Sequence, residues 1–145
     1  MKRRLVLALL LAAAAFPVRA EIVNARGGLA IEGYDPVAYF AEGRARRGAV
    51  AYFHDWRGAR WLFVSGTNRD AFAADPARYA PRYGGYCAYG MAQGYKAPIV
   101  PEAWSIVDGR LYLNYSRSVQ RTWLADVPGY IAKAEANWPG QSTAR

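Results

Sequence analysis

Three side chains of this sequence are suited to binding a soft metal ion: Cys87, Met91 and His54. Cys87 is the single cysteine and His54 the single histidine of the chain. If residues 86–92 are helical, Cys87 and Met91 share one face at the i, i+4 spacing. A thiolate, a thioether and an imidazole form a ligand set suited to Cu(I), which is a soft ion. The sequence therefore predicts a copper site formed by Cys87, His54 and Met91.

The same residue types also fit a cysteine-dependent enzyme. Cys87 would be the nucleophile and His54 its base, with Asp35 or Asp55 orienting the histidine. Asp35 precedes Pro36 in the pattern of a helix cap, and Asp55 is expected to pair with a residue of the next strand. Because both carboxylates have these structural explanations, we rank the enzyme below metal binding.

A module without chemistry is the third interpretation, and it competes evenly with the copper hypothesis. A free cysteine often behaves as a small buried hydrophobic residue, and a methionine often fills a core. The protein would then bind a partner through exposed aromatic surface. A disulfide between Cys87 of two chains also stays open.

Residues 1–20, MKRRLVLALLLAAAAFPVRA, have the three parts of a secretory signal peptide. Residues 2–4 are basic, residues 5–16 are apolar, and residues 18–20 resemble a signal peptidase site. Twelve apolar residues are too few to cross a bilayer core of about 30 Å as a helix. We therefore expect cleavage after Ala20, export to the periplasm without a stable membrane anchor, and a single mature domain, residues 21–145.

Removing the signal peptide reduces the basic excess of the chain. Four of its nineteen Lys and Arg residues lie in residues 1–20, so fifteen basic and eleven acidic residues remain and the formal charge falls from +8 to +4. This charge is spread along the chain, which does not indicate a nucleic-acid partner. The single cysteine excludes an internal disulfide, so packing must stabilise the fold.

The elements that must position these residues are two β-hairpins and several short helices. The first hairpin is AVAYFHDW and ARWLFVS around Arg57-Gly58, and the second is AWSIV and RLYLNY around Asp108-Gly109. In the first hairpin we expect His54 opposite Trp61, Tyr52 opposite Phe63, and Asp55 opposite Arg60. Helix caps are predicted at three residues: Asp35, Ser65 and Asp75. The predicted class is α+β, a small antiparallel sheet built from two β-hairpins with short helices packed on it.

Six segments of the chain, between about Leu29 and Pro139, resemble the exported YHS-domain proteins of Gram-negative bacteria. They are GYDPVAYF, YFHDWRGARWLFVS, AFAADPARYAP, YGGYCAYG, PEAWSIVDGRLYLNY and DVPGYIAKAEANWP. The wider family includes modules attached to copper-transporting ATPases and to some oxygenases, and it is associated with soft metals. The resemblance thus implies a YHS-like domain with a metal-binding role.

The cysteines of the family's metal motif are absent from this chain. The motif has Asp-Pro-Val-Cys-Gly-Met near its start and Phe-Cys-Ser-x-x-Cys after a hairpin. Ala38, Val64 and Asn68 stand at those cysteine positions here. The family's metal function therefore cannot be transferred position by position, and the predicted copper site depends on other residues.

Overall fold

The computed structural model describes residues 21–143. The predicted signal peptide lies outside the described residues. The strands are β1 (Ala25–Arg26), β2 (Leu29–Ala30), β3 (Ala49–Trp56), β4 (Ala59–Phe63), β5 (Val100–Val107) and β6 (Arg110–Asn114). The helices are α1 (Pro36–Ala41), α2 (Gly66–Ala74), α3 (Pro76–Tyr79), α4 (Ala88–Ala92), α5 (Arg117–Leu124) and α6 (Val127–Gln141). Short 3₁₀ turns span Ile31–Gly33 and Arg82–Gly85.

The strands form two sheets. The first has the order β1-β2-β4-β3, and the second is the β5-β6 hairpin. β3 and β4 pair antiparallel, whereas β2 and β4 pair parallel through Leu29 and Arg60. The predicted α+β class with two β-hairpins and short helices is confirmed, and the hairpins lie in separate sheets rather than side by side in one.

Both hairpins turn through two residues with positive φ. Arg57 and Gly58 have φ of 50° and 70°, and Asp108 and Gly109 have φ of 51° and 73°. These values are those of a type I′ turn, whose twist matches that of the strands it joins. The hairpin predicted around Asp108-Gly109 is therefore confirmed.

The register of the first hairpin agrees with the prediction near the turn and differs beyond it. His54 lies opposite Trp61, and Asp55 lies opposite Arg60. The prediction of Tyr52 opposite Phe63 was wrong, because the register shifts and Phe63 pairs with Ala49. Near this shift the backbone at Gly48 approaches β4 so closely that a Cβ there would lie 2.5 Å from the carbonyl carbon of Leu62.

Two of the three predicted helix caps are present, those of Asp35 and Ser65, and Ser116 is a further cap. Asp35 accepts hydrogen bonds from the first turn of α1, and Ser65 and Ser116 do so for α2 and α5. The Asp75 cap was wrong, since its side chain makes no capping bond. Asp75 instead ends α2, where its N–H donates to the carbonyl of Phe72 at 3.1 Å.

The buried residues form two clusters that meet near Cys87. The first lies between α1, α2 and the strands, and it contains Trp61, Phe63 and Phe72 together with Cys87. The second lies among α4, α5, α6 and β6. No helix among residues 21–143 is long and apolar enough to cross a membrane.

The N-terminal segment is attached to both the end of the chain and the turn before Cys87. Ile22 N–H donates to the carbonyl of Ser142 at 2.7 Å. Asn24 donates from its backbone to Gly84 O at 2.8 Å and from its side chain to Gly85 O at 3.1 Å.

Candidate functional site

Cys87 follows a turn in which two positions accommodate only glycine. Gly84 and Gly85 have φ of 63° and 81°. A Cβ on Gly84 would collide with the carbonyl of Ile22, and one on Gly85 would lie 2.6 Å from Ile31 Cγ2. The turn therefore packs directly on the N-terminal segment and places Cys87 at the start of α4.

The Cys87 sulfur is a fully hydrogen-bonded helix cap. Cys87 is 1% exposed and is the N-cap of α4. Its Sγ accepts from Gly90 N–H at 3.4 Å and from Tyr115 N–H at 3.2 Å. The thiol donates to Oδ1 of Asn114 at 3.5 Å. These contacts tie the start of α4 to the end of β6.

Asn114 is the polar partner that the sequence analysis missed. It is completely buried, and its Oδ1 also accepts from Tyr89 N–H at 3.0 Å. Its Nδ2 is buried and makes no hydrogen bond within the described part of the chain. The available signal was a polar residue that ends the otherwise apolar run LYL. Burial of such a residue requires a partner, and here the partners are Tyr89 N–H and the Cys87 thiol.

Burial raises the pKa of the Cys87 thiol, and the backbone N–H groups of Gly90, Tyr115 and Tyr89 oppose part of this rise. Desolvation disfavours the thiolate, whereas N–H donors favour it. Because the net shift is upward from a value that is already above neutral, the thiol keeps its proton at neutral pH. A neutral thiol is a poor nucleophile.

A cavity of about 210 Å³ lies over Cys87. Its remaining lining is mainly aromatic or aliphatic: Tyr89, Gly90, Tyr95, Ala97, Tyr115 and Val119. Tyr95 and Tyr115 are 52% and 53% exposed, so they form a rim open to solvent. The cavity thus has a sulfur atom in its wall and tyrosine rings at its mouth.

Met91 belongs to different surroundings. Its N–H donates to the carbonyl of Cys87 at 2.9 Å, but its side chain is buried in the second cluster, which includes Tyr112 and Trp123. It is not among the residues that line the cavity. The short helix therefore directs Cys87 and Met91 to different clusters, because the cysteine side chain turns back to cap the helix.

His54 lies on the first sheet against α2. Its ring centroid is 6.1 Å from that of Phe72 in an edge contact. Like Met91, it does not line the cavity over Cys87. Residues 21–143 contain no group of three His, Cys, Asp or Glu side chains that could hold a metal ion. Copper binding by Cys87, His54 and Met91 stays a prediction, and of the three only Cys87 lies at the cavity.

The two carboxylates considered as orienting groups are both engaged elsewhere. Asp55 forms a two-bond pair with Arg60, at 2.9 and 3.1 Å, on the exposed face of the hairpin. Asp35 is buried at the start of α1. The nucleophile hypothesis therefore has no histidine and no carboxylate at the cavity among the described residues.

The positions where the family motif has cysteines converge on Asp35. Its Oδ1 accepts from the N–H groups of Val37 and Ala38, at 2.8 and 3.2 Å. Its Oδ2 accepts from Val64 N–H and from Asn68 Nδ2, both at 2.8 Å. A buried carboxylate with four donors thus joins α1, β4 and α2 at this place.

Comparison of the chain with family models, with curated proteins and with solved structures gave no match. The resemblance to YHS-domain proteins therefore stays a prediction from the motifs.

Proposed function

We propose that this chain is an exported, non-enzymatic binding domain that holds a small apolar molecule in the cavity over Cys87. The observation that carries the proposal is a buried, hydrogen-bonded thiol in the wall of a cavity lined otherwise by tyrosines and small or aliphatic residues. Such a group offers one weak polar contact and no nucleophile. The site is built for contact rather than for reaction.

The size of the cavity limits the ligand. About 210 Å³ is below the roughly 300–1,000 Å³ of pockets that take drug-sized molecules. A single aromatic ring or a short aliphatic group fits this volume. The rings of Tyr89, Tyr95 and Tyr115 provide the edge and face contacts that aromatic ligands prefer.

Titration of the mature protein with toluene, followed by the NMR amide shifts of residues 87–97 and 115–119, tests this proposal. We expect saturable shifts confined to these segments. Val119→Phe places a ring in the cavity and should weaken binding about ten-fold or more, a loss that corresponds to about 1.4 kcal/mol. Ser118→Phe adds the same ring at an exposed position of α5 and should leave binding unchanged. Equal binding by both variants would reject the site.

Copper(I) is the second candidate occupant, and the location of the Cys87 sulfur in the cavity wall favours it. An anaerobic Cu(I) titration separates the candidates. Copper binding at the cavity requires that Cys87→Ser abolish it, whereas His54→Ala and Met91→Leu should weaken it only if the predicted three-ligand set forms. Stoichiometric binding that survives Cys87→Ser would contradict a site at the cavity.

Export is tested by the mass of the purified periplasmic protein. Cleavage after Ala20 predicts a chain that starts at Glu21. Recovery of the full-length chain from the cytoplasmic or membrane fraction would contradict the proposal of a periplasmic protein.

A further inference from the structure

A second cavity, of about 420 Å³, lies between α3 and the turn of the β5–β6 hairpin. It shares no lining residue with the cavity over Cys87, and the proposed function does not use it. Pockets that hold small molecules have volumes of roughly 300–1,000 Å³, so this cavity is large enough for one. Unlike the first cavity, it is lined mainly by charged side chains.

Two walls of this cavity each present one carboxylate and one guanidinium group. Asp75 and Arg78 come from the start and the body of α3. Asp108 and Arg110 come from the hairpin turn and from the first residue of β6. Since α3 and β6 contact each other, the fold brings two distant segments with the same charge pattern to one place.

These four side chains are available to a ligand. All four are exposed, and none of them takes part in an ion pair within residues 21–143. Their two positive and two negative charges balance. A small molecule with one anionic and one cationic group therefore pairs with both signs at once, which neither a simple anion nor a simple cation does.

Arg82 is the fifth charged residue of the lining, and its charge already has a partner outside the cavity. Its Nη2 donates to Oε1 of Glu135 at 2.7 Å. Burial raises the pKa of the Tyr112 hydroxyl, and the guanidinium groups of Arg82 and Arg110 oppose part of this rise, so both act at the same place. Arg82 thus adds N–H donors to the cavity without changing its charge balance.

We propose that this cavity binds a small zwitterion with the charge pattern of a free amino acid whose side chain is neutral. The carboxylate of the ligand accepts hydrogen bonds from Arg78 and Arg110, and its ammonium group donates to Asp75 and Asp108. Such charge-assisted bonds are roughly twice as strong as bonds between neutral groups. In a concave site they are also less weakened by water than on an open surface.

Titration of the mature protein with glutamine, followed by the NMR amide shifts of residues 75–82 and 108–110, tests this proposal. We expect saturable shifts in both segments. Two analogues of glutamine isolate its charges, since glutaramate lacks the ammonium group and 4-aminobutanamide lacks the carboxylate. Each analogue should bind about ten-fold more weakly than glutamine, because it loses the charge-assisted bonds to one pair of side chains.

Variants of the charged residues assign each contact. Arg78→Gln and Arg110→Gln should each weaken glutamine binding about ten-fold. Asp108→Asn should weaken it similarly while the hairpin stays intact, because Asn-Gly also forms a type I′ turn. The same variant should not weaken the binding of glutaramate, which has no ammonium group to pair with Asp108.

A matched control separates these contacts from the general charge of the protein. Arg121→Gln removes a guanidinium group at an exposed position of α5 outside the cavity, and it should leave glutamine binding intact. Because the replaced side chains are exposed, circular dichroism should show that every variant stays folded. Absence of saturable shifts, equal binding of glutamine and glutaramate, or glutamine binding that survives Arg78→Gln and Asp108→Asn would overturn the proposal.

Discussion

At the scale of single residues, Cys87 is a helix cap that accepts hydrogen bonds with sulfur instead of oxygen. Its sulfur accepts two backbone N–H groups and its proton bonds Asn114. Serine is the usual residue at such a position because its hydroxyl makes the same type of bonds. The chain has a thiol there, in contact with the cavity, and this is the feature that the proposed binding role has to explain.

Cys87→Ala should destabilise the protein more than Cys87→Ser. Alanine leaves Gly90 N–H and Tyr115 N–H without an acceptor, at a cost of about 1–3 kcal/mol, whereas serine retains a cap and should cost about 1 kcal/mol or less. Urea denaturation of the three proteins measures the difference. An alanine variant as stable as the wild type would show that the sulfur acts only as a small apolar group.

The thiol should also react slowly in the folded protein. Because burial raises the pKa of Cys87 and only 1% of the residue is exposed, iodoacetamide should modify it at neutral pH at least about ten-fold more slowly than in the urea-unfolded chain. The measurement is the modified fraction by mass spectrometry over time. Rapid modification of the native protein would revive the nucleophile hypothesis.

At the scale of the elements, Asp35 connects parts of the chain that are distant in sequence. It joins the first turn of α1 to the end of β4 and to α2 through four donors. The sequence predicted only the cap of α1, because Asp-Pro is a local signal. The bonds from Val64 and Asn68 depend on how the first hairpin packs against α1, and no local sequence pattern predicts that packing.

Asp35→Asn should therefore destabilise strongly. An amide presents an N–H group to donors that require an acceptor, and we expect a loss of about 2–5 kcal/mol. Asp75→Asn is the matched control, because the Asp75 side chain makes no capping bond and the same change should cost about 0.5 kcal/mol or less. Thermal or urea unfolding compares the two. Similar losses in both variants would refute the role given to Asp35.

The same distinction explains what the sequence could and could not predict about the site. The two hairpin turns, the cap at Ser65, and the pair Asp55–Arg60 follow from neighbouring residues and are confirmed. The cavity joins α4 to residues 95–97, 115 and 119, which come together only in three dimensions. Sequence spacing also placed Cys87 and Met91 on one helix face, but the N-cap role turns the cysteine away from it.

At the scale of the whole molecule, the protein should lose stability at alkaline pH. Burial raises the pKa of Cys87, and it also raises the pKa values of Tyr39 and Tyr83 above those of exposed groups. In the unfolded chain these groups lose their protons from about pH 8.5 for Cys and about pH 10 for Tyr. The folded state holds more protons there, so the contribution of these three groups to stability is constant below about pH 8.5 and falls above it.

Unfolding free energies measured by urea denaturation between pH 7 and pH 10.5 check this expectation. Between about pH 8.5 and pH 10 the loss should come mainly from the thiol, because tyrosine in the unfolded chain still keeps its proton. Cys87→Ser should therefore flatten the curve in that interval. An unchanged slope in the variant would assign the alkaline loss to other groups.

The attachment of the N-terminal segment has a consequence for maturation. Ile22 donates a hydrogen bond to the carbonyl of Ser142, and Asn24 donates to the carbonyls of Gly84 and Gly85. These two glycines form the turn that precedes Cys87. A peptidase that removed four residues beyond Ala20 would remove these bonds. The turn before Cys87 would then lose its contact with the N-terminal segment, and the cavity would become less rigid. Under the proposed cleavage after Ala20, the position of the cut therefore also determines whether the proposed ligand site is complete.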